Sequence, residues 1–166
     1  MIAFQNVSFS YDGDNPVVEN LSFTIEKGET VGLIGANGAG KSTIMRLLLG
    51  LLSGEGQITV GDLPMNRRNI PAIRQKVGFV LQDSDNQMFM PTVYEDMIFG
   101  PRNYGLGKEE AEQRVDEILS RLNLQALKHR YNHKISGGEK RMAAIAAILA
   151  MEPEVILMDE PSTALD

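Results

Sequence analysis

The chain has 166 residues, 43% of them hydrophobic and 23% charged, with a formal net charge of −6 and no cysteine. That length fits one domain with a real core, and the composition excludes a disordered or low-complexity chain. Acidic balance with scattered Lys and Arg argues against a nucleic-acid partner, the lack of cysteine excludes disulfides and thiolate metal sites, and neither a signal peptide nor an apolar run of about 18 residues is present, so a soluble cytoplasmic chain is expected.

Val7, Phe9 and Tyr11 alternate with polar residues, as do Leu21, Phe23 and Ile25, which predicts two antiparallel strands around the turn "DGDNP". The run "ETVGLIG" then reads as a short apolar strand, followed by a glycine-rich loop and a helix marked by Ile44, Leu47, Leu48 and Leu51. "QITVGD" and "KVGFVLQ" read as further strands. "PTVYED" opens a helix with a capping box, Thr92 with Glu95. After the break "GPRNYGLG", Val115, Ile118, Leu119 and Leu122 mark a second amphipathic helix. Met142, Ile145, Ala146 and Leu149 mark a third, beginning near Glu139 and stopped by Pro153, before the strand "EVILM". The predicted class is α/β with an antiparallel N-terminal part and a helical subdomain over approximately 90–150.

"GANGAGKS" fits G-x-x-x-x-G-K-[ST] and lies between a predicted strand and a predicted helix. Gly35, Ala36, Asn37, Gly38, Ala39 and Gly40 would let backbone amides wrap a phosphate at the helix N-terminus, where the helix dipole favours anions. Lys41 would reach the β and γ phosphates, Ser42 would ligate Mg²⁺, and Thr43 completes the stretch. Asp159 and Glu160 close the last strand, and buried charge needs a compensating partner. With a phosphate loop present, Asp159 is expected in the Mg²⁺ shell and Glu160 as acceptor of a proton from water.

"GANGAGKST", Gln82 after "VGFVL", "ISGGEKR" and "ILMDEPSTALD", in that order, resemble the ATP-binding cassette (ABC) ATPases over essentially the whole chain. The resemblance implies a P-loop NTPase fold of the ABC type spanning 1–166, with ATP and Mg²⁺ bound. It assigns Gln82 to Mg²⁺ and attacking water and Tyr11 to stacking on adenine. Ser136, Gly137, Gly138 and Glu139 become a signature loop that closes on ATP held by a second ABC ATPase subunit, in a homo- or heterodimer. The signature departs from the usual pattern, with Ile where Leu is common and Glu139 where Gln is common; Glu139 also suits the first turn of a helix. His129 and His133 sit at helical spacing, but neighbouring cations oppose a metal, and "DSDNQ" lacks the glycine and glutamate that a calcium loop requires.

The segment "LQDSDNQMFMPTVYEDMIFGPRNYGL" resembles the subgroup that powers energy-coupling factor importers for cobalt or nickel ions and vitamins. Met88, Phe89 and Met90 would either form a groove for a helix of an integral membrane subunit or fill this domain's own core. The expectation is a transport ATPase held peripherally at the cytoplasmic face of the cell membrane. The alternatives are a soluble ABC ATPase outside transport and a module that binds ATP without turnover. Family members continue past "STALD" and place a histidine there, so the sequence predicts a chain with its C-terminal part missing that binds ATP and, alone, hydrolyses it poorly.

Overall fold

The computed structural model describes residues 1–83 and 86–160, and the chain divides into two compact units, Met1–Arg74 and Gln75–Asp166. The tail of the last motif, 161–166, and Ser84 and Asp85 of "DSDNQ" lie outside the described residues.

In the first unit β1 (Ile2–Ser10) is flanked by antiparallel β2 (Pro16–Ile25) and β3 (Glu55–Val60), and the two-residue β4 (Leu63–Pro64) completes the order β2-β1-β3-β4. Phe4 stands opposite both Phe23 and Ile58, and the two phenylalanine rings stack at 4.6 Å. The turn follows from Asp12, whose carboxylate accepts from Ser10 Oγ and from the amides of Asp14 and Asn15, and these bonds hold its carboxyl well below the usual range. The helix α1 (Lys41–Leu48) packs on β2 and buries Met45, Leu47 and Leu48. It stops short of Leu51, which is exposed, because the chain turns at Gly50 (φ 61), where a side chain would collide with Ile70.

The expected strand "ETVGLIG" is not formed: 29–35 carry no strand, and Ile34 is 99% exposed. An apolar run becomes a strand only when a neighbouring chain satisfies its amides and carbonyls, and among the described residues no ladder reaches this one. The sequence reading also missed α2 (Ile70–Lys76), whose single buried residue, Ile73, leaves no periodic signal.

In the second unit β5 (Val77–Val80) and β6 (Val155–Met158) run parallel in register from Val77↔Val155 to Val80↔Met158. Three helices, α3 (Val93–Asn103), α4 (Lys108–Arg121) and α5 (Gly137–Leu149), pack together around Val93, Met97, Val115, Leu119, Ala143 and Ala146. The Thr92–Glu95 capping box forms as read, with both reciprocal bonds. The buried row of α5 differs from the expected one: Ala143, Ala144, Ala146 and Ala150 are buried, whereas Met142, Ile145 and Leu149 are half-buried. A helix that is apolar nearly all round has no periodicity to select a face, so close approach by small side chains decides it.

Candidate functional site

In the first unit the loop leading into α1 is shaped by Gly38 (φ 83) and Gly40 (φ 86), both left-handed, and a side chain at Gly40 would press on the carbonyl of Val17 at 3.0 Å. The Ala39 amide turns back to Ala36 O (3.1 Å). Lys41 is the first residue of α1, where a cation opposes the helix dipole and no acidic residue lies in the first turn. Its ammonium donates to the carbonyls of Gly35 and Ala36, both at 2.9 Å, so the chain arches around a positive charge set at a helix N-terminus. That arrangement suits an anion. Tyr11 is exposed, stands edge-on to Phe9 (4.8 Å, 88°), and its hydroxyl lies 3.1 Å from Thr43 Oγ1, which leaves a ring face for a planar ligand.

In the second unit the carboxyl ends of β5 and β6 gather the other residues. The Asp159 amide donates to Val80 O (3.1 Å) and continues the ladder one step beyond β6. Glu160 follows with φ 46, and its Oε2 accepts from Gln82 Nε2 at 2.6 Å. Ends of parallel strands are where open α/β sheets hold ligands. Ser136 caps α5: its hydroxyl accepts from the Glu139 amide (3.2 Å), and Glu139 Oε2 accepts from the Ser136 amide (2.7 Å). The Glu139 carboxylate is therefore turned back on the cap, and its pKa is lowered by those bonds. Gly137 and Gly138 open α5, two residues before the expected start, with open space where a side chain would stand.

A match to the ABC transporter family model covers residues 18–163. The chain belongs to the ABC transporter family. A putative ABC transporter ATP-binding protein of Streptomyces avermitilis is 45% identical over 161 residues, which are 96% of this chain and 62% of that protein. An energy-coupling factor transporter ATP-binding protein, EcfA, of Methanothermobacter thermautotrophicus is 44% identical over 169 residues, covering 100% of this chain and 54% of that one. The chain thus spans 54 to 62% of the length of these two relatives. Among solved structures, cbiO1 of Clostridium perfringens, part of the ABC transporter complex cbiONQ, superposes with a TM-score of 0.91 at 35% identity, over 99% of this chain and 67% of that one. A dimeric ATP-binding cassette in a post-hydrolysis state with ADP and Pi gives 0.86 at 29% identity, over 100% and 76%. The fold is therefore the ABC ATPase fold, with the antiparallel N-terminal part and the mixed α/β character that the sequence predicts.

Within this ABC chain the apolar segment after Gln82 divides. Met88 is buried in the helical core, whereas Phe89 is 65% exposed and meets Phe99 edge to face at 5.0 Å. His129 lies beside Tyr94 and His133 beside Tyr131. Sequence reasoning missed Asp96 and Asn132, because an acid in "YED" reads as an exposed first-turn residue. Asp96 is buried, and its carboxylate accepts from the amides of Phe89 and Met90, both at 3.1 Å, and from Asn132 Nδ2, which also donates to Met90 O at 2.7 Å. Burial pushes its pKa up, although those donors pull the other way.

Removing this carboxylate takes the acceptor from the amides of Phe89 and Met90 and one of the two acceptors of Asn132 Nδ2, so Asp96→Ala is expected to cost about 2–4 kcal/mol and to lower Tm by roughly 10 °C. Because the folded pKa lies above the unfolded value, the folded state holds the proton more tightly, and this group's contribution to stability falls as pH rises through that window. The gap between wild type and Asp96→Ala should therefore widen as pH is lowered from 7 toward 4. Thermal melts at several pH values check it, and a gap that narrows on acidification contradicts the role given to burial.

Proposed function

We propose that this chain is the ATP-binding and hydrolysing part of a subunit that energises an energy-coupling factor type importer for a metal ion or a vitamin, working as a dimer against integral membrane subunits at the cytoplasmic face of the membrane. The observation that carries the catalytic half is the Gln82–Glu160 hydrogen bond at the carboxyl ends of two parallel strands, next to Asp159. The importer half is supported by the names of the relatives, EcfA and a member of cbiONQ, and by the exposed Phe89–Phe99 pair.

In this reading the loop 35–42 and Lys41 receive the phosphates, Tyr11 stacks on adenine, and Glu160 takes a proton from a water that Gln82 orients. The same reading would give Mg²⁺ the hydroxyl of Ser42, the carboxylate of Asp159 and the amide oxygen of Gln82, hard oxygen donors of the kind this ion prefers alongside phosphate. When bound, Mg²⁺ supplies charge neutralisation at the transferred phosphoryl group. Ser136, Gly137 and Gly138 present a capped helix N-terminus to ATP on the second subunit. Among the described residues no helix is long and apolar enough to cross a membrane.

Phe89 decides the test, because Met88 is committed to the core while Phe89 is exposed. Phe89→Glu is expected to abolish co-purification with the membrane subunits while leaving ATP affinity and helical content unchanged, since a charge in an apolar docking groove must be desolvated. Co-expression followed by detergent extraction and pull-down measures it, and a Phe89→Glu variant that still assembles refutes the docking role.

A further inference from the structure

Arg141, in the first turns of α5, is 2% exposed. Such burial is rare for arginine unless a carboxylate pairs with it, and among the described residues no salt bridge reaches it. Its position is also electrostatically poor, since the N-terminal end of a helix carries partial positive charge. Arginine cannot relieve either cost by losing its proton. What compensates it is main chain 60 residues away: Nη1 donates to the carbonyl of Leu81 and to that of Gln82, the latter at 3.1 Å. The same short segment is gripped from its other side, where the Leu81 amide donates to Gln87 Oε1 at 3.0 Å. Among the described residues Nε and Nη2 are buried without a partner, so there the guanidinium spends one nitrogen on two carbonyls and forgoes the rest of its fork.

A group this costly that fixes two consecutive carbonyls sets the direction in which the side chain between them leaves the backbone. That side chain is Gln82, whose amide holds Glu160 at 2.6 Å. We propose that Arg141 is a positioning residue: it clamps the backbone at 81–82 to the helix that Ser136 caps, and so sets Gln82, and through it Glu160, for attack by water. The link has a mechanical consequence. A displacement of the N-terminal turn of α5, on which Ser136, Gly137 and Gly138 stand, is delivered to Gln82 through the one guanidinium nitrogen that bridges the two carbonyls. The proposal rests on the ATPase reading above for its effect on turnover, but the clamp itself does not.

The experiment therefore has two arms, both on the ATPase at the full length its relatives have. In hydrogen–deuterium exchange, Arg141→Met is expected to speed exchange at 81–83 about ten-fold while amides in α3 and α4 keep their rates. Arg141→Lys, with one ammonium able to reach a single carbonyl well, should fall between. In steady-state hydrolysis of Mg-ATP, kcat of Arg141→Met should drop about ten-fold with KM within roughly two-fold, and Arg141→Lys should restore part of it. Wild-type exchange at 81–83 in the Met variant overturns the clamp, and so does a uniform rise across α3, α4 and α5, which would make Arg141 a general packing residue. Should Arg141→Met not fold, the Lys variant decides by whether its faster exchange is confined to 81–83. Absence of hydrolysis by the wild type counts against the ATPase reading, and the exchange arm then judges the clamp alone.

Discussion

Lys41→Ala is expected to weaken ATP binding by on the order of 100-fold, which corresponds to about 2.7 kcal/mol. The figure follows from what the ammonium does in the ligand-free chain. It bonds the carbonyls of Gly35 and Ala36 at 2.9 Å, across the arch that glycines 38 and 40 shape with their left-handed backbone. A phosphate entering that arch meets a cation already in place, and charge-assisted bonds to phosphate oxygens are the strongest single contacts such a loop can offer. Because Lys41 is exposed at those contacts, its loss should leave the nucleotide-free Tm nearly unchanged. That separates a binding role from a structural one. Isothermal calorimetry with Mg-ATP, run beside thermal melts without nucleotide, measures both, and equal ATP affinity in the two proteins would remove the phosphate-loop assignment.

Why these residues were legible while others were not is a matter of range. The glycine-shaped loop before α1 and the cap at Thr92–Glu95 are local devices, in which residues within about eight positions satisfy each other, so residue types in order are enough to read their shape. "ETVGLIG" failed because strand formation depends on a neighbour that its own residues do not encode. Met88 and Phe89 are adjacent and similarly apolar, yet only Met88 enters the core, which residue type alone leaves undecided. Arg141 and Asp96 failed for a third reason. Charged residues at a helix start read as solvated, and the partners that bury these two, Leu81 and Gln82 for the one and Asn132 for the other, lie 36 to 60 positions away. In both cases the feature that sequence reading missed is a violation of the pattern, a buried charge with main-chain partners, which residue type alone does not announce.

The second large effect is expected at Glu160. Replacing it with Gln keeps the size and shape of the side chain but removes the capacity to accept a proton. The local structure should survive: the Gln amide oxygen can take the place of Oε2 as acceptor from Gln82 Nε2, so the contact across the ends of β5 and β6 is retained. The backbone argument points the same way. Glu160 adopts φ 46, a left-handed conformation that costs a non-glycine residue about 1 kcal/mol or more and persists where the surroundings impose it. A tight bend straight after a strand turns the side chain toward Gln82 instead of along the strand, and Gln accepts that bend as Glu does. Loss of a general base costs roughly 100- to 10,000-fold in rate. Glu160→Gln should therefore bind Mg-ATP as tightly as wild type while phosphate release falls by at least about 100-fold. Glu160→Asp should recover little, because its carboxylate is one methylene short, and displacement by about 1 Å is enough to lose on the order of 100-fold. The measurement is steady-state phosphate release in parallel with calorimetry, on the ATPase at the full length its relatives have. Wild-type turnover by Glu160→Gln would place the base elsewhere, and lost ATP affinity with proportionate turnover would make Glu160 a binding residue instead.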